Sequence, residues 1–276
     1  MLETMIEAAH EIAKRSGIDL LFLITKEDVD EDAFSFEILQ APKSYATILE
    51  SLVYHTDDSD ITIFEKYLQT YRISEYISTL TYFKSIEIKK AVVVVYTEPL
   101  KAIFIFEPEK SNFMKILKEC TERVDPTALR ALLTVALNIA YKGREGKKIG
   151  TAFVMGDVED VLSRSKQLII NPFQCQDEKL RDIKNPEIWE SVMEFAQMDG
   201  VFVLDENGII VSAGRYIEVP ATETVKTKPG LGGRHLACAS ITRETKAIAI
   251  VVSESGGDIT LYKDGVEVLR IPSIFY

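Results

Sequence analysis

The sequence predicts an α/β protein of two domains, the first reaching to about residue 122 and the second covering residues 123–276. Stretches with helical periodicity alternate with short buried apolar runs, which is typical of layered α/β folds. Val124-Asp125-Pro126 marks a helix start that divides the chain. Beyond residue 200, strand-length runs separated by glycine turns become frequent, so the second half is expected to be rich in β-strands.

The composition is that of a folded protein with an acidic surface. Its 276 residues, 46% of them hydrophobic, suit one large or two ordinary domains with a sizeable core. A net charge of −11 argues against a general nucleic-acid binder, which needs a basic face, but allows a nucleotide in a local positive pocket. The three cysteines are scattered without metal-ligand spacing, as expected in a reducing cytosol.

No targeting or membrane-spanning segment is predicted. Met1–Gly17 has the pattern of a charged amphipathic helix and not that of a signal peptide. The longest apolar runs, 91–96 and 247–252, have the length of strands and fall short of the ~18 residues that a membrane span requires. We therefore expect a soluble cytoplasmic protein that binds neither nucleic acid nor membrane.

The first domain is predicted to alternate helices and strands. Apolar residues recur with a helical period between Leu2 and Arg15, and a buried strand is expected over 19–24. The remaining predicted elements are helices over 45–54, 61–82 and 113–123, and strands over 90–96 and 102–106. This half shows no catalytic motif, so its role is left open between regulation and oligomerisation.

The second domain is predicted to begin with a helix that Asp125 caps and that carries Pro126 in its first turn. The elements expected after it are strands over 148–155, 167–171, 200–204, 208–212 and 247–252, helices over 158–165 and 186–197, and a hairpin of 258–262 with 266–271. A polar loop over about 215–228 separates two of the strands. Loops of that length in a compact domain are more often functional than idle.

The stretch 228–239 carries the strongest functional signal. Gly232 and Gly233 let the backbone approach a ligand closely, and a helix is predicted over about 236–243. A glycine-rich loop ahead of a helix N-terminus offers N–H groups and partial positive charge to a phosphate, and Arg234 adds donors that fit phosphate oxygens. These residues favour a nucleotide triphosphate site. A plain helix start with a surface arginine is the alternative that so short a motif leaves open.

Two further polar clusters lie at predicted element ends. Asp199-Gly200 opens a strand, where a carboxylate beside a glycine can approach a metal or a sugar hydroxyl. Ser253-Glu254 follows the buried strand 247–252, at the strand end where α/β sheets place ligand residues. Taken alone, each pair is better explained as part of a turn. Because three such clusters occur in one half of the chain, together they favour a nucleotide site.

These three segments resemble the motifs of the diadenylate cyclase (DAC) family. Asp199-Gly200-Val201 is similar to its Asp-Gly-Ala motif, Arg234-His235-Leu236 to its Arg-His-Arg motif, and Val252-Ser253-Glu254 to its Val-Ser-Glu segment, in the same order. The resemblance covers about residues 125–271, and the chain looks like the soluble archaeal type with an unrelated α/β domain in front. It implies a domain with a mixed central β-sheet flanked by helices.

The chain departs from the family pattern at three positions. Val201 replaces the usual alanine, which keeps the backbone N–H. Leu236 replaces the second arginine and removes a cation. Gly233 stands where a threonine often precedes the first arginine, and this removes a hydroxyl donor.

The resemblance implies an enzyme that condenses two ATP molecules into cyclic di-AMP and two pyrophosphates with the help of Mn²⁺ or Mg²⁺. Each 3′-hydroxyl would attack the α-phosphate of the other ATP across a face-to-face pair of domains, so a homo-oligomer is implied. The implied catalytic residues are Asp199, Arg234 and His235, and the implied metal ligands are Asp199 and Glu254. The implied nucleotide-binding residues are Gly200, Val201, Leu231, Gly232, Gly233, Arg234, His235, Ser253 and Glu254.

Two other functions stay open at this point. The first is a non-catalytic adenine-nucleotide-binding regulatory protein on the same fold, which the missing cation at Leu236 favours. The second is an assembly protein whose first domain is the functional part.

Overall fold

The structure is a computed structural model, which describes residues 1–30, 34, 36–43, 45–47, 62–86, 88–98, 100–144, 146–219 and 232–272. The chain divides into two compact units, residues 1–115 and 116–276. The division falls inside the helix Asn112–Cys120, a few residues before the domain boundary expected at 122/123. The 122/123 boundary stays a prediction, namely that the residues beyond it fold without the first domain.

The first unit holds a four-stranded sheet. Its elements are α1 (Leu2–Ser16), β1 (Leu21–Thr25), β2 (Ile38–Gln40), α2 (Thr62–Phe83), β3 (Ala91–Tyr96), β4 (Lys101–Phe106) and the start of α3 (Asn112–Cys120). The strand order is β2-β1-β3-β4, with β1 parallel to β2 and β3, and β4 antiparallel to β3. All residues of β1 and nearly all of β3 are buried, which explains their continuous apolar runs.

Local sequence patterns explain most of the helices and strands of this unit. The buried face of α1, which includes Ile6 and Ala9, packs on Leu21, Leu23 and other residues of β1 and β3. Strand β2 was not predicted, because three residues are too few to show a strand period. Residues 45–47 of the helix expected over 45–54 are helical, and the rest of that helix lies outside the described residues.

The second unit is built on a seven-stranded mixed sheet. Its elements are α4 (Pro126–Lys142), β5 (Thr151–Met155), α5 (Val158–Ser163), β6 (Ser165–Gln167), α6 (Trp189–Phe195), β7 (Val201–Leu204), β8 (Ile210–Ile217), α7 (Gly233–Glu244), β9 (Ile248–Val252), β10 (Ile259–Lys263) and β11 (Val266–Ile271). The strand order is β11-β10-β9-β5-β7-β8-β6. Neighbours β5 and β7 are parallel and the other pairs are antiparallel, so the predicted mixed sheet is confirmed.

Three differences from the predicted element boundaries bear on the site. The strand expected over 167–171 is observed as β6 and ends at Gln167, because the amides of Leu168 and Ile169 both donate to the carbonyl of Gly214 and leave the ladder. Strand β8 runs to Ile217 and so takes the first residues of the expected 215–228 loop. Helix α7 begins at Gly233, a turn earlier than expected, because Gly232 serves as its N-cap in an extended conformation.

Helices flank the central strands and position the functional segments. Asp125 caps α4 as predicted, accepting a hydrogen bond from the amide of Ala128. Both α4 and α7 pack against β9, whose residues are all buried. The small residues Cys238 and Ala239 of α7 belong to the same buried cluster as Ala249 and Val251 of β9. Small side chains allow this close packing, which sets the N-terminus of α7 at one edge of the sheet.

Candidate nucleotide-binding site

Strand directions bring the three predicted segments to one edge of the sheet. Thr151 at the start of β5 pairs with Val252 at the end of β9, because these strands are antiparallel. Strand β7 runs parallel to β5, so its start, preceded by Asp199-Gly200, lies at the same edge. Ser253 and Glu254 therefore follow β9 close to Gly150, which precedes β5.

The larger of two adjoining cavities lies at the N-terminus of α7. It has a volume of about 550 Å³. Its lining residues are Gly150, Gly232, Gly233, Arg234, His235, Val251, Val252, Ser253, Glu254 and Ser255. The first N–H groups of an α-helix have no partner within the helix and carry partial positive charge. This cavity therefore offers donors and a guanidinium to an anion.

The smaller cavity lies beside the start of β7 and has a volume of about 400 Å³. Its lining residues are Leu168, Asp199, Gly200, Val201, Arg215, Tyr216, Ile217, Gly233, Arg234 and Ala237. Gly233 and Arg234 line both cavities, which makes Arg234 the side chain at their junction. The exposed side chains of Leu168 and Tyr216 give the smaller cavity an apolar rim.

Arg234 is held between a carboxylate and a glycine. Its Nη2 lies 3.8 Å from Oδ1 of Asp199, whose side chain is 84% exposed, while the Arg234 side chain is 31% exposed. A Cβ placed on Gly150 would lie 3.2 Å from Arg234 Nη1 and 3.0 Å from Glu254 Cβ, so the glycine makes room for both side chains. A solvent-exposed ion pair of this kind contributes little stability, so a ligand can replace it at low cost. Because Arg234 lines both cavities, its guanidinium is accessible to that ligand.

Gly200 fixes the position of Asp199. Its φ is +98°, a conformation that side chains disfavour, and an added Cβ would lie 2.7 Å from the carbonyl oxygen of Arg215. The backbone of β8 therefore passes too close for any other residue. Asp199 is held at the mouth of the smaller cavity as a result.

His235 is buried in the first turn of α7 and shares a hydrogen bond with a strand residue. Its Nδ1 lies 3.0 Å from the hydroxyl of Tyr262, and the two rings meet edge to face. Burial and the positive charge of Arg270 lower the pKa of His235 below its usual value. The ring is therefore favoured in its neutral form.

Ser253 and Glu254 form the far wall of the larger cavity. Glu254 is exposed, and Ser253 Oγ lies 3.3 Å from Ser255 Oγ. Among the residues that the structure describes, no three or more His, Cys, Asp and Glu side chains form a cluster able to hold a metal by themselves. A cation here would need ligands from a substrate or water in addition to carboxylates.

The structure divides the predicted site residues between the two cavities. Gly232, Gly233, Arg234, His235, Ser253 and Glu254 line the larger one, and Asp199, Gly200 and Val201 line the smaller one together with Gly233 and Arg234. Leu231 lies outside the described residues. Their roles toward a nucleotide stay predictions.

Several residues of the site were missed because their sequence context is ordinary. Gly150, which lines the larger cavity, lay inside a predicted strand, and Tyr262, which contacts His235 behind that cavity, lay in a hairpin. Arg215 was placed in a loop, yet its guanidinium donates to Ser165 Oγ at 2.9 Å and to the Ser165 carbonyl at 2.7 Å, which ties β8 to β6. Its position beside Gly200 comes from the β7–β8 ladder.

Comparisons with known proteins agree with the motifs. Residues 138–266 match the DAC family, described as "DisA bacterial checkpoint controller nucleotide-binding", and residues 4–109 match the family described as "Probable sensor domain DacZ_A". A protein from Methanocaldococcus jannaschii named "Diadenylate cyclase" is 38% identical over 174 residues, which cover 63% of this chain and 52% of that protein. A protein of the same name from Haloferax volcanii is 40% identical over 149 residues, 54% of this chain and 54% of that protein.

The chain thus matches about half the length of these curated relatives. A solved structure of a DacA double mutant from Staphylococcus aureus has 20% identity and a TM-score of 0.38, and it covers 53% of this chain and 87% of its own. No helix in the described part of the chain is long and apolar enough to cross a membrane. The resemblance seen in the motifs is confirmed: the chain carries a domain of the DAC family over residues 138–266, preceded by a DacZ_A domain over residues 4–109.

Proposed function

We propose that the protein is a diadenylate cyclase, which condenses two ATP molecules into cyclic di-AMP and two pyrophosphates. The observation that carries the proposal is the junction of the two cavities at Arg234. One cavity has helix N–H groups and a guanidinium for phosphates, and the other has an apolar rim for a base. The carboxylate of Asp199, in the smaller cavity, lies 3.8 Å from the guanidinium of Arg234 at this junction.

The triphosphate occupies the larger cavity in this proposal. The backbone N–H groups of Gly233 and Arg234 at the start of α7, with the guanidinium of Arg234, donate to phosphate oxygens. Among the residues that the structure describes, none has an atom within 4 Å of a Cβ added at Gly232 or Gly233, so the space beside this backbone can take a phosphate chain. Adenosine then lies in the smaller cavity against Gly200 and Val201, with Tyr216 at its rim.

The carboxylates present fit a divalent cation that the substrate also binds. Asp199 and Glu254 are exposed at the two cavities, and neither belongs to a closed protein cage among the described residues. Mg²⁺ is typically bound by one or two carboxylates together with substrate phosphates and water, and Mn²⁺ accepts the same oxygen ligands. When bound, such a cation offsets negative charge on the triphosphate and lowers the pKa of the attacking hydroxyl.

The reaction needs two ATP molecules in opposed orientation. The 3′-oxygen of each ribose forms a bond to the α-phosphorus of the other ATP, the bond from that phosphorus to the bridging oxygen breaks, and pyrophosphate leaves. The hydroxyl proton passes to solvent water beside Asp199, whose carboxylate orients the hydroxyl. Arg234 and the α7 N–H groups stabilise the charge that develops on the phosphate oxygens.

Because one site holds one ATP, two copies of the domain must face each other. Exposed apolar side chains lie at the rim of the smaller cavity: Leu168 is 59% exposed and Tyr216 56%, and Ile170, two positions after Leu168, is 87% exposed. Exposed apolar side chains grouped beside a polar site are a common mark of an interaction surface. It supports a homo-oligomer in which these rims meet.

Leu236 supports one alternative, a nucleotide receptor without turnover. This position in α7 has no cation to offer the phosphates, where the DAC motif has a second arginine. With one positive charge fewer beside the leaving pyrophosphate, the rate of turnover would fall more than the affinity for ATP.

Incubation with ATP and Mn²⁺ or Mg²⁺, followed by chromatography, tests the proposal. Cyclic di-AMP in the wild-type reaction, with little in that of Asp199→Asn, supports the cyclase. Saturable ATP binding without product with either metal supports the receptor and overturns the cyclase.

A further inference from the structure

His235 and Tyr262 form a buried polar pair behind the larger cavity. Their exposed fractions are 5% and 2%, and His235 Nδ1 lies 3.0 Å from Tyr262 Oη. The ring centroids are 5.9 Å apart with an interplanar angle of 69°. His235 lines the cavity, whereas Tyr262 lies behind it on β10. Any effect of Tyr262 on a ligand must therefore pass through His235.

The direction of this hydrogen bond decides which nitrogen of His235 carries the proton. A neutral imidazole has one donor and one acceptor nitrogen, whereas a phenol can donate or accept. If Nδ1 donated, the phenolic proton would need another acceptor, and no second hydrogen-bond partner of Tyr262 Oη is found among the described residues. If Tyr262 donates, the buried phenolic proton is paired and the ring proton lies on Nε2.

The electrostatic surroundings agree with that direction. Burial raises the pKa of Tyr262 to about 12, so the phenol keeps its proton. Burial, with the charge of Arg270, lowers the pKa of His235, so the ring is neutral and Nδ1 can accept. Arg270 is itself engaged with Glu267, with Nε 3.1 Å from Oε1 and Nη2 2.9 Å from Oε2.

We propose that Tyr262 is a positioning residue: its hydroxyl donates to Nδ1 of His235 and holds the ring as the Nε2–H tautomer, a hydrogen-bond donor for a phosphate oxygen in the larger cavity. The identity of that phosphate rests on the proposed function. The tautomer itself does not, because it follows from the contact of two side chains. Tyr262 thus sets how the first turn of α7 meets the nucleotide, without touching it.

Nitrogen NMR of the histidine rings tests the tautomer directly. The chain has three histidines, His10, His55 and His235, so the signal lost in His235→Gln identifies the ring. Wild type is expected to show Nε2 protonated and Nδ1 as a hydrogen-bonded acceptor, and Tyr262→Phe to show a mixture of tautomers. An Nδ1-protonated ring in wild type, or an unchanged spectrum in Tyr262→Phe, overturns the proposal. Tyr141→Phe, which removes an exposed hydroxyl of the same unit, is the matched control.

Ligand titration and turnover test the second half of the proposal. The Nε2–H signal is expected to move on addition of a non-hydrolysable ATP analogue but not of adenosine. Tyr262→Phe should lower kcat/KM by about three- to tenfold, the scale of one hydrogen bond. In a His235→Gln background the same change should have no further effect, because Tyr262 acts through His235. A signal that does not move with the analogue, or effects of the two variants that multiply, would show that Tyr262 serves packing alone.

The two proposals fail in different ways. If wild type makes no cyclic dinucleotide, the cyclase function falls, while the ring spectra and the analogue titration still decide the role of Tyr262. If product forms but the ring is protonated at Nδ1, the cyclase stands and the positioning role falls.

Discussion

Arg234 Nη2 lies 3.8 Å from Asp199 Oδ1, although 34 positions of sequence separate the two residues. The pair joins the helix that offers donors for phosphate to the strand that presents the carboxylate. In the proposed reaction these are the parts that hold the α-phosphate and the attacking hydroxyl. Separate tests of the two side chains therefore distinguish binding from chemistry.

Asp199→Asn is expected to separate binding from turnover. The amide keeps the shape but removes the negative charge that would hold a cation beside the hydroxyl. ATP keeps its contacts at Arg234 and the start of α7, so its affinity should stay close to that of wild type, while product formation falls by ~10² or more. Calorimetry and product chromatography measure the two effects. Wild-type turnover in this variant would assign the acidic role elsewhere, with Glu254 the next carboxylate to test.

Arg234→Ala is expected to weaken ATP binding by about ten- to a hundredfold, because a charge-assisted hydrogen bond contributes ~1.5–3 kcal/mol. The fold should survive, since this side chain lies at the cavities and not in the core. Arg243→Ala, at the other end of the same helix, is the matched control and should bind ATP as wild type does. Equal affinities of Arg234→Ala and wild type in a titration would remove Arg234 from the phosphate site.

Gly200→Ala is expected to lower the free energy of unfolding of the second unit by more than backbone strain at a positive φ would. The additional loss comes from a collision of the new methyl group with β8. A Cβ added at Gly200 would lie 2.7 Å from the Arg215 carbonyl oxygen, whereas a Cβ added at Gly146, also at positive φ, would have no atom of the described residues within 4 Å. Gly146→Ala is therefore the control that carries backbone strain without a collision. Denaturant unfolding followed by the fluorescence of Trp189, the single tryptophan, measures both. Equal losses of unfolding free energy in the two variants would contradict the close contact of Gly200 with the backbone of β8.

A chain that begins at Val124 is expected to fold and bind ATP, because every proposed site residue lies beyond it. A chain that begins at Ile116 should be more stable, since it keeps the buried side chains of Leu117 and Cys120, and Arg123, whose Nη2 lies 2.7 Å from Asp264 Oδ1. Circular dichroism and ATP titration of both chains provide the comparison. An unfolded 124–276 chain beside a folded 116–276 chain would place the domain boundary at the start of the second unit.

His235 is expected to make stability fall in mildly acidic solution. Burial and Arg270 lower its pKa in the folded chain below the ordinary value of 6.5. As the pH falls through that value, the unfolded chain binds the proton first, so the free energy of unfolding decreases. The Trp189 unfolding midpoint should therefore drop more for wild type than for His235→Gln between about pH 7.5 and 5.5. Equal drops would show that the ring titrates as freely in the folded chain as in the unfolded one.

The sequence by itself determined the order of most elements and the segments that form the site. Periodic apolar residues decide local structure within one turn or strand, which is why α1, α4, β3 and β9 were predicted close to their observed bounds. The Asp-Gly, Gly-Gly-Arg-His and Ser-Glu segments were visible for the same reason, since each lies at the end of a local element. Short elements without a full period, such as β2, gave too little signal.

Only the tertiary structure decided which segments meet. The parallel pairing of β5 with β7 and the antiparallel pairing of β5 with β9 bring Asp199, Glu254 and Gly150 to one edge, and no local pattern encodes these pairings. Arg215 and Tyr262 are also placed by strand pairing, Arg215 opposite Val201 and Tyr262 opposite Ala249, and Tyr262 then meets His235 of α7. The physical reason is that strand pairing is chosen by burial of the whole sheet between its helices, a property of the folded chain and not of any one stretch.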